Sequence, residues 1–263
     1  DRVLTEEFKN EWYQGDAEIT TYSLSQERYG ELREGSATMI FVTESMNPDL
    51  QVKADMQTEE SIPVLKLNMT KKFVTGIYPY SIMTSVFSPT LHQGHALKVS
   101  HSVQEWCGQV YAQVNNRNRF EVISHSYFES ENDEKFTLPT TWLEDELWNR
   151  IRINPNELPT GELEVIPSLE FARLRHVDLQ AYLATGTLEQ RDSISTYELS
   201  YPELKRKLTI HFSSTFPFHI ERWEETHANG MQTTARVKKR IRTPYWKQNR
   251  LEDESLRDTL GLE

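Results

Sequence analysis

The strongest constraint on this chain is an alternation of apolar and polar residues with period two, interrupted by Gly, Pro, Asn and Asp. "KLTIHFSS", from Lys207, is representative: Leu208, Ile210 and Phe212 fall on one side of an extended backbone, Thr209 and His211 on the other. The pattern predicts strands at Ala17–Leu24 and Ser36–Glu44, joined by the polar "SQERYGELREG". "IPVLKLN" follows, then "FVTGIYPYSIMTSVF" with a bend at Gly76 and Pro79, then "ALKVSHSVQEWCGQVYAQV", which turns at "NNRN" into "RFEVISHSYFE". In the second half "ELEVIPSLEFARL", "LQAYLATGTLE", "SISTYELSY", "KLTIHFSS", "FHIERWEETHA" and "MQTTARVKKRIRT" read the same way. About a dozen sequential strands predict one large, mainly β, antiparallel sheet that curls toward a barrel or half-barrel. Residues 1–263 are expected to form a single β-rich unit, with a possible seam at 153–161, where "INPNELPTG" separates two halves of similar size.

Two helical signals interrupt the strands. Leu4, Phe8 and Trp12 recur every four residues. In "TTWLEDELWNRIR" Leu143, Leu147 and Ile151 line one face beside Trp148, and Thr141 and Glu144 have capping-box spacing. The acids of "LEDEL" suit the positive end of a helix dipole, Glu146 has Arg150 at i+4, and Pro155 and Pro159 stop the helix. This helix is expected to cover the open side of the half-barrel. The tail "RLEDESLRDTLGLE" predicts one more short helix.

Forty acidic against 29 basic residues give a net charge of −11, which argues against binding duplex DNA through its phosphates. No apolar run approaches the ~18 residues of a spanning helix. One cysteine excludes an internal disulfide and leaves the redox compartment open. The start at Asp1, without an initiator Met, is expected to follow removal of a signal segment or trimming.

That cysteine, Cys107, stands in "VQEWCGQVY" with Gln104 upstream and His101 and His125 on either side. A cysteine hydrolase would use Cys107 as nucleophile, His125 or His101 as base and Gln104 as oxyanion donor. Alternation instead places Cys107 with Glu105, Gln109 and Tyr111 on one strand face, opposite Trp106, Val110, Ala112 and Val114. Glu105 would raise the thiol pKa, and no helix dipole lowers it. A one-residue change of hairpin register decides whether Cys107 faces His125 or Ser126. His92, His95, His101 and His125 are read as loop and sheet-surface histidines rather than metal ligands, and no cofactor is expected.

The distinctive charge feature is "QTTARVKKRIRT", in which Arg236, Lys238, Arg240 and Arg242 alternate along one expected strand face. Such a row suits a phosphate-bearing lipid, a glycan or an acidic protein. Asn229-Gly230 predicts a two-residue hairpin turn, which would pair Trp223 with Arg236 and Glu221 with Lys238. Arg240 and Arg242 lie beyond those acids, so the four basic residues are the candidate binding set.

"RYGELREG…FVTE", "VLKLN…KKFVTGIYPYSIM", "LKVSHSVQEWCGQVY" and "LEDELWNRIRINP…LPTG" together resemble uncharacterised secreted or lipid-anchored proteins of the Bacteroidetes. Some of those carry the label "septum formation inhibitor Maf". The S-x-S-x-R-R signature of Maf pyrophosphatases fails in "YSLSQER", where one arginine is missing and the other displaced. The resemblance implies an exported protein with a lipidated cysteine upstream of Asp1, and by analogy a fold like that of lipoprotein carriers. The expected function is therefore a non-enzymatic envelope lipoprotein of the periplasm or outer membrane. It would be an accessory subunit of an outer-membrane complex or a carrier of an apolar ligand, with a hydrolase built on Cys107 and His125 as the alternative.

Overall fold

In the computed structural model, which describes residues 1–262, every strand belongs to one 15-stranded sheet. The first half runs as an antiparallel meander: β1 (Ala17–Arg28), β2 (Glu31–Met46), β3 (Ile62–Thr75), β4 (Tyr78–Pro89), β5 (Lys98–Glu105), β6 (Gly108–Asn116), β7 (Phe120–His125) and β8 (Glu134–Leu138). The second half adds β9 (Trp142–Leu143), β10 (Gly161–Ile166), β11 (Tyr182–Glu189), β12 (Ile194–Tyr201), β13 (Arg206–Ser213), β14 (Ile220–Thr226) and β15 (Gln232–Thr243). The two halves meet where β1 pairs with β15, from Ala17 opposite Thr243 to Ser25 opposite Thr234. The two β-rich halves thus share one sheet.

The free edges of this sheet are β8 and β9, and only Pro139, Thr140 and Thr141 lie between them in the chain. So short a link obliges the sheet to curl until its two edges are neighbours. It stops short of closure, because β8 pairs only with β7 and β9 only with β10, in parallel. Inward residues of the strands make one core that includes Tyr22, Phe41, Tyr80, Tyr197, Phe212 and Trp223.

Three local expectations need correction. "SQERYGELREG" is no connecting loop: β1 and β2 continue through it and reverse at Tyr29-Gly30, whose φ values of 57° and 73° make the tight turn that matches strand twist. "ELEVIPSLEFARL" divides into β10 and a helix, α3 (Leu169–Arg175). Pro167 ends the strand, and the Ser168 hydroxyl accepts the Phe171 N–H at 3.0 Å, so a helix starts there. The Asn229-Gly230 hairpin has a three-residue loop, Ala228–Gly230, with Gly230 at φ 82°. Trp223 consequently pairs with Ala235 and Arg222 with Arg236, one residue out of the expected register.

The remaining helices are α1 (Glu6–Trp12), α2 (Glu144–Ile153) and α4 (Leu256–Thr259), the last in the tail where a short helix was expected. α2 starts later than the capping-box reading: the Glu146 carboxylate caps the Leu143 N–H at 3.1 Å, while Thr141 bonds the Glu164 carbonyl. It also does not cover an opening with one face. All ten of its residues are buried, and it touches strands of both halves, so the sheet wraps around it. Asn149 reaches the Leu65 carbonyl on β3, Arg152 reaches Glu18 on β1, and Glu144 reaches Arg206 on β13.

Candidate functional site

A helix enclosed on all sides is ordinarily apolar. α2 is instead charged, and each of its charges except Asp145 meets a partner from the sheet or a loop. The carboxylate of Glu144 accepts two hydrogen bonds from Arg206, at 2.6 and 2.7 Å, and one from the Tyr201 hydroxyl at 2.7 Å. Arg206 also donates to Glu225 at 2.7 Å and stacks over Phe171 at 4.2 Å. Burial alone would raise the Glu225 pKa, but the Arg206 guanidinium holds it down at about 2. Arg152 forms the same kind of two-pronged pair with Glu18, at 2.7 and 2.8 Å, against the rings of Trp12 and Phe41. Glu146 accepts from His95 and from the Ala96 N–H, not from Arg150, which bonds Glu157 and the Gly94 carbonyl. The acids of "LEDEL" are therefore interior bonding groups rather than solvated complements to a helix dipole.

Asp145 is the exception among them. Its carboxylate meets only the Leu169 N–H at 3.0 Å, and burial, with Glu144 and Glu170 nearby, pushes its pKa up to about 7. It lines a cavity of about 40 Å³ with Gln26, Lys71, Glu170 and His227. Such a volume has room for about three or four waters, at ~10–15 Å³ of probe space each, but not for an organic substrate. This carboxyl, raised by burial beside two other acids, is part of the polar core.

A larger chamber lies on the other side of α3. It measures about 300 Å³ and runs between α3 and the inner faces of β5 to β8. Val110, Ala112, Phe136, Leu169, Ala172 and Leu179 supply apolar walls. Its mouth is bordered by the exposed Ser130, Glu134, His176 and Asp178, and a hydrogen bond between Glu131 and His176 ties the loop after β7 to the end of α3. Two polar side chains in its wall stand apart. Arg173, 6% exposed, has neither hydrogen bond nor ion pair among the described residues; Nε and Nη1 are out of solvent and partnerless, and the guanidinium stacks on Phe128, at 4.7 Å. Burial lowers its pKa, and Glu131 opposes that effect. His101, 1% exposed, bonds Thr84 through Nδ1 at 2.9 Å and leaves Nε2 partnerless. Burial, reinforced by Arg173 and Lys71, lowers its pKa to about 3, so the ring is neutral.

The candidates read from sequence lie elsewhere. The β1–β15 register shifts at Thr21–Tyr22, so Lys238 is an extra residue and the basic row is divided. Arg236, exposed, sits opposite Ser23, whereas Arg240 donates to Thr20 and to the Ile220 carbonyl. Arg242 bonds Glu11 and stacks on Trp12 at 5.3 Å, and Lys238 donates to the Gly261 carbonyl of the tail. Trp223 contacts Tyr22 and Trp148 rather than Arg236, and Glu221 lies by Arg240 rather than Lys238.

Cys107 does not lie on a strand face. It forms, with Trp106, the exposed turn between β5 and β6. Neither anticipated register occurs: Val114 pairs with Val122 and His125 with Tyr111, which puts the imidazole about four strand residues, or ~13 Å, from the thiol. His125 is paired with Asp133, and a hydrogen bond to Glu105 raises the thiol pKa. His92 and His95 bond Asp1 and Glu146 respectively, and among the described residues no group of three His, Cys, Asp or Glu is placed to hold a metal.

Among solved structures the chain is similar to a beta-barrel-like protein of the domain of unknown function DUF1849 from Brucella abortus. The TM-score is 0.53 at 7% identity, over 86% of this chain and 97% of that one. At this identity the likeness shows the fold, a barrel-like curved sheet, and carries no activity. No protein-family model matches the chain, and no curated protein matches it. Among the described residues no helix is long and apolar enough to cross a membrane.

Proposed function

We propose that the protein is a non-enzymatic carrier of a small apolar ligand in the cell envelope, held at a membrane by a lipid anchor upstream of Asp1. The envelope and anchor rest on the resemblance to secreted and lipid-anchored Bacteroidetes proteins. The carrier role rests on one observation, the chamber of about 300 Å³ under α3, whose size and apolar walls suit a small ligand. An environment-sensitive apolar fluorophore titrated into the full chain should bind saturably at one site. Ala172→Phe, which places a ring in the chamber, should abolish that binding while the protein stays folded. No saturable binding to the folded protein would remove this reading.

The accessory-subunit reading keeps one observation in its favour. The turns β1–β2, β3–β4 and β5–β6 share one end of the meander and expose Tyr29 (56%), Ile77 (82%) and Trp106 (68%). Exposed apolar groups gathered at one rim suit contact with another protein. Capture of one membrane protein by the wild type and not by Trp106→Ala would favour that role. The Cys107–His125 hydrolase has no geometric support.

A further inference from the structure

The chamber under α3 has apolar walls, the carboxylates of Glu131, Glu134 and Asp178 in its lining, and two buried polar side chains without full partners, Arg173 and His101. Every other buried arginine is satisfied: Arg206 by Glu144 and Glu225, Arg152 by Glu18, Arg150 by Glu157, and Arg28 by the Leu174 carbonyl and Tyr80. Arg173 is the exception: among the described residues no carboxylate or carbonyl bonds it, although Glu131 lies near enough to oppose the fall in its pKa. Glu131, on the chamber wall, is committed to Ser126 and His176, and Glu134 is exposed at the mouth. His101 lines the same chamber near Arg173, and its buried, partnerless Nε2 carries the hydrogen when Thr84 donates its hydroxyl proton to Nδ1. An uncompensated buried charge is among the most destabilising features a core can contain, so its natural complement is a group from outside the chain.

We infer that the chamber takes a ligand with a carboxylate head and an apolar body, the head bound by Arg173 with His101 beside it and the body lying among Val110, Phe136 and Leu169. The inference rests on the carrier reading and adds the charge of the ligand to it. A planar carboxylate suits a guanidinium, which offers it two parallel N–H groups. Phe128, stacked on one face of the guanidinium, fixes the plane in which those groups point. The neutral imidazole adds a hydrogen bond without a second charge.

The test titrates the full chain, by calorimetry, with decanoate and with decanol, which share an apolar body and differ in the head. Decanoate should bind one-to-one and at least tenfold more tightly than decanol. Arg173→Met should weaken decanoate at least tenfold and leave decanol unchanged. Arg173→Lys, which keeps the charge but loses the fork, should fall between them. Circular dichroism on each variant confirms folding. Equal binding of decanoate and decanol, or decanoate affinity that survives Arg173→Met, overturns the anionic head while leaving the carrier reading intact. Binding of neither compound, nor of the apolar fluorophore, overturns both.

Discussion

Arg206 and Arg173 lie on opposite sides of one short helix, and both are withdrawn from solvent. Arg206 ends in two carboxylates, a tyrosine-linked network and the ring of Phe171; Arg173 ends on a single aromatic face. The chamber beside Arg206 holds little more than water, whereas the one beside Arg173 is several times larger. The contrast separates two uses of a buried cation. Where the chain supplies bonded partners, as at Arg206, the charge welds helix to sheet; at Arg173, where Nε and Nη1 have none, the proposed ligand supplies them.

The most damaging way to probe that contrast is Arg206→Met. It strands Glu144 and Glu225 in the interior and should cost about 3–5 kcal/mol in denaturant unfolding, or prevent folding. A cost below about 1 kcal/mol would show that the network holds nothing together.

The next effect is a pH dependence. Asp145 titrates near 7 in the folded protein, above the ~3.9 of an unfolded chain. A carboxyl raised on folding gives its full stability below about pH 4 and loses it as pH climbs toward 7, by roughly 1.4 kcal/mol per unit. Asp145→Asn, which can still accept from Leu169, should flatten this slope between pH 4 and 7. Glu157 and Glu225 behave oppositely: both are lowered to about 2, so their contribution is present above about pH 4.3 and is lost as pH falls toward 2. Thermal melts of both proteins across pH 2–8 separate the two slopes.

Arg173→Met should do the reverse of Arg206→Met, raising the stability of the ligand-free protein by about 1–2 kcal/mol because a lone buried charge is removed. If both substitutions destabilise equally, the two arginines are alike and the comparison fails. The smallest effects belong to the surface. Cys107→Ser and Arg236→Ala should each stay within ~0.5 kcal/mol of the parent. A thiol reagent should label the folded protein fully, but slowly until the pH exceeds that needed by an ordinary exposed thiol, since Glu105 opposes ionisation.

The curved sheet was legible because period-two alternation is written into nearly every strand, and α2 because Leu143, Leu147 and Ile151 keep helical spacing. The interior chemistry was not, because burial of a charge depends on partners remote in sequence. Glu144 looks like a first-turn acid until Arg206 is placed opposite it, and Arg152 like a C-terminal cation until Glu18 is. The shared face expected of the basic row is broken because one bulge at Lys238 turns Arg236 and Arg240 to different surroundings, which alternation alone does not reveal. Arg173 was hidden by period: "LEFARLR" read as strand, although Pro167-Ser168 before it carries a helix-start signal. His101 alternates with Val99 and Val103, and that buried face was the available clue to an inward histidine.

The pairing of first strand with last also governs how the molecule is made. During synthesis β2 reaches β1 early, but the other edge of β1 has no partner until Thr234–Thr243 has left the ribosome. Contacts so distant along the chain form slowly, and an unpaired edge is a template for association with other chains. A nascent copy therefore carries one sticky seam until β15 is made. A chaperone that masks strand edges should raise the yield of native protein more than one that recognises exposed helices.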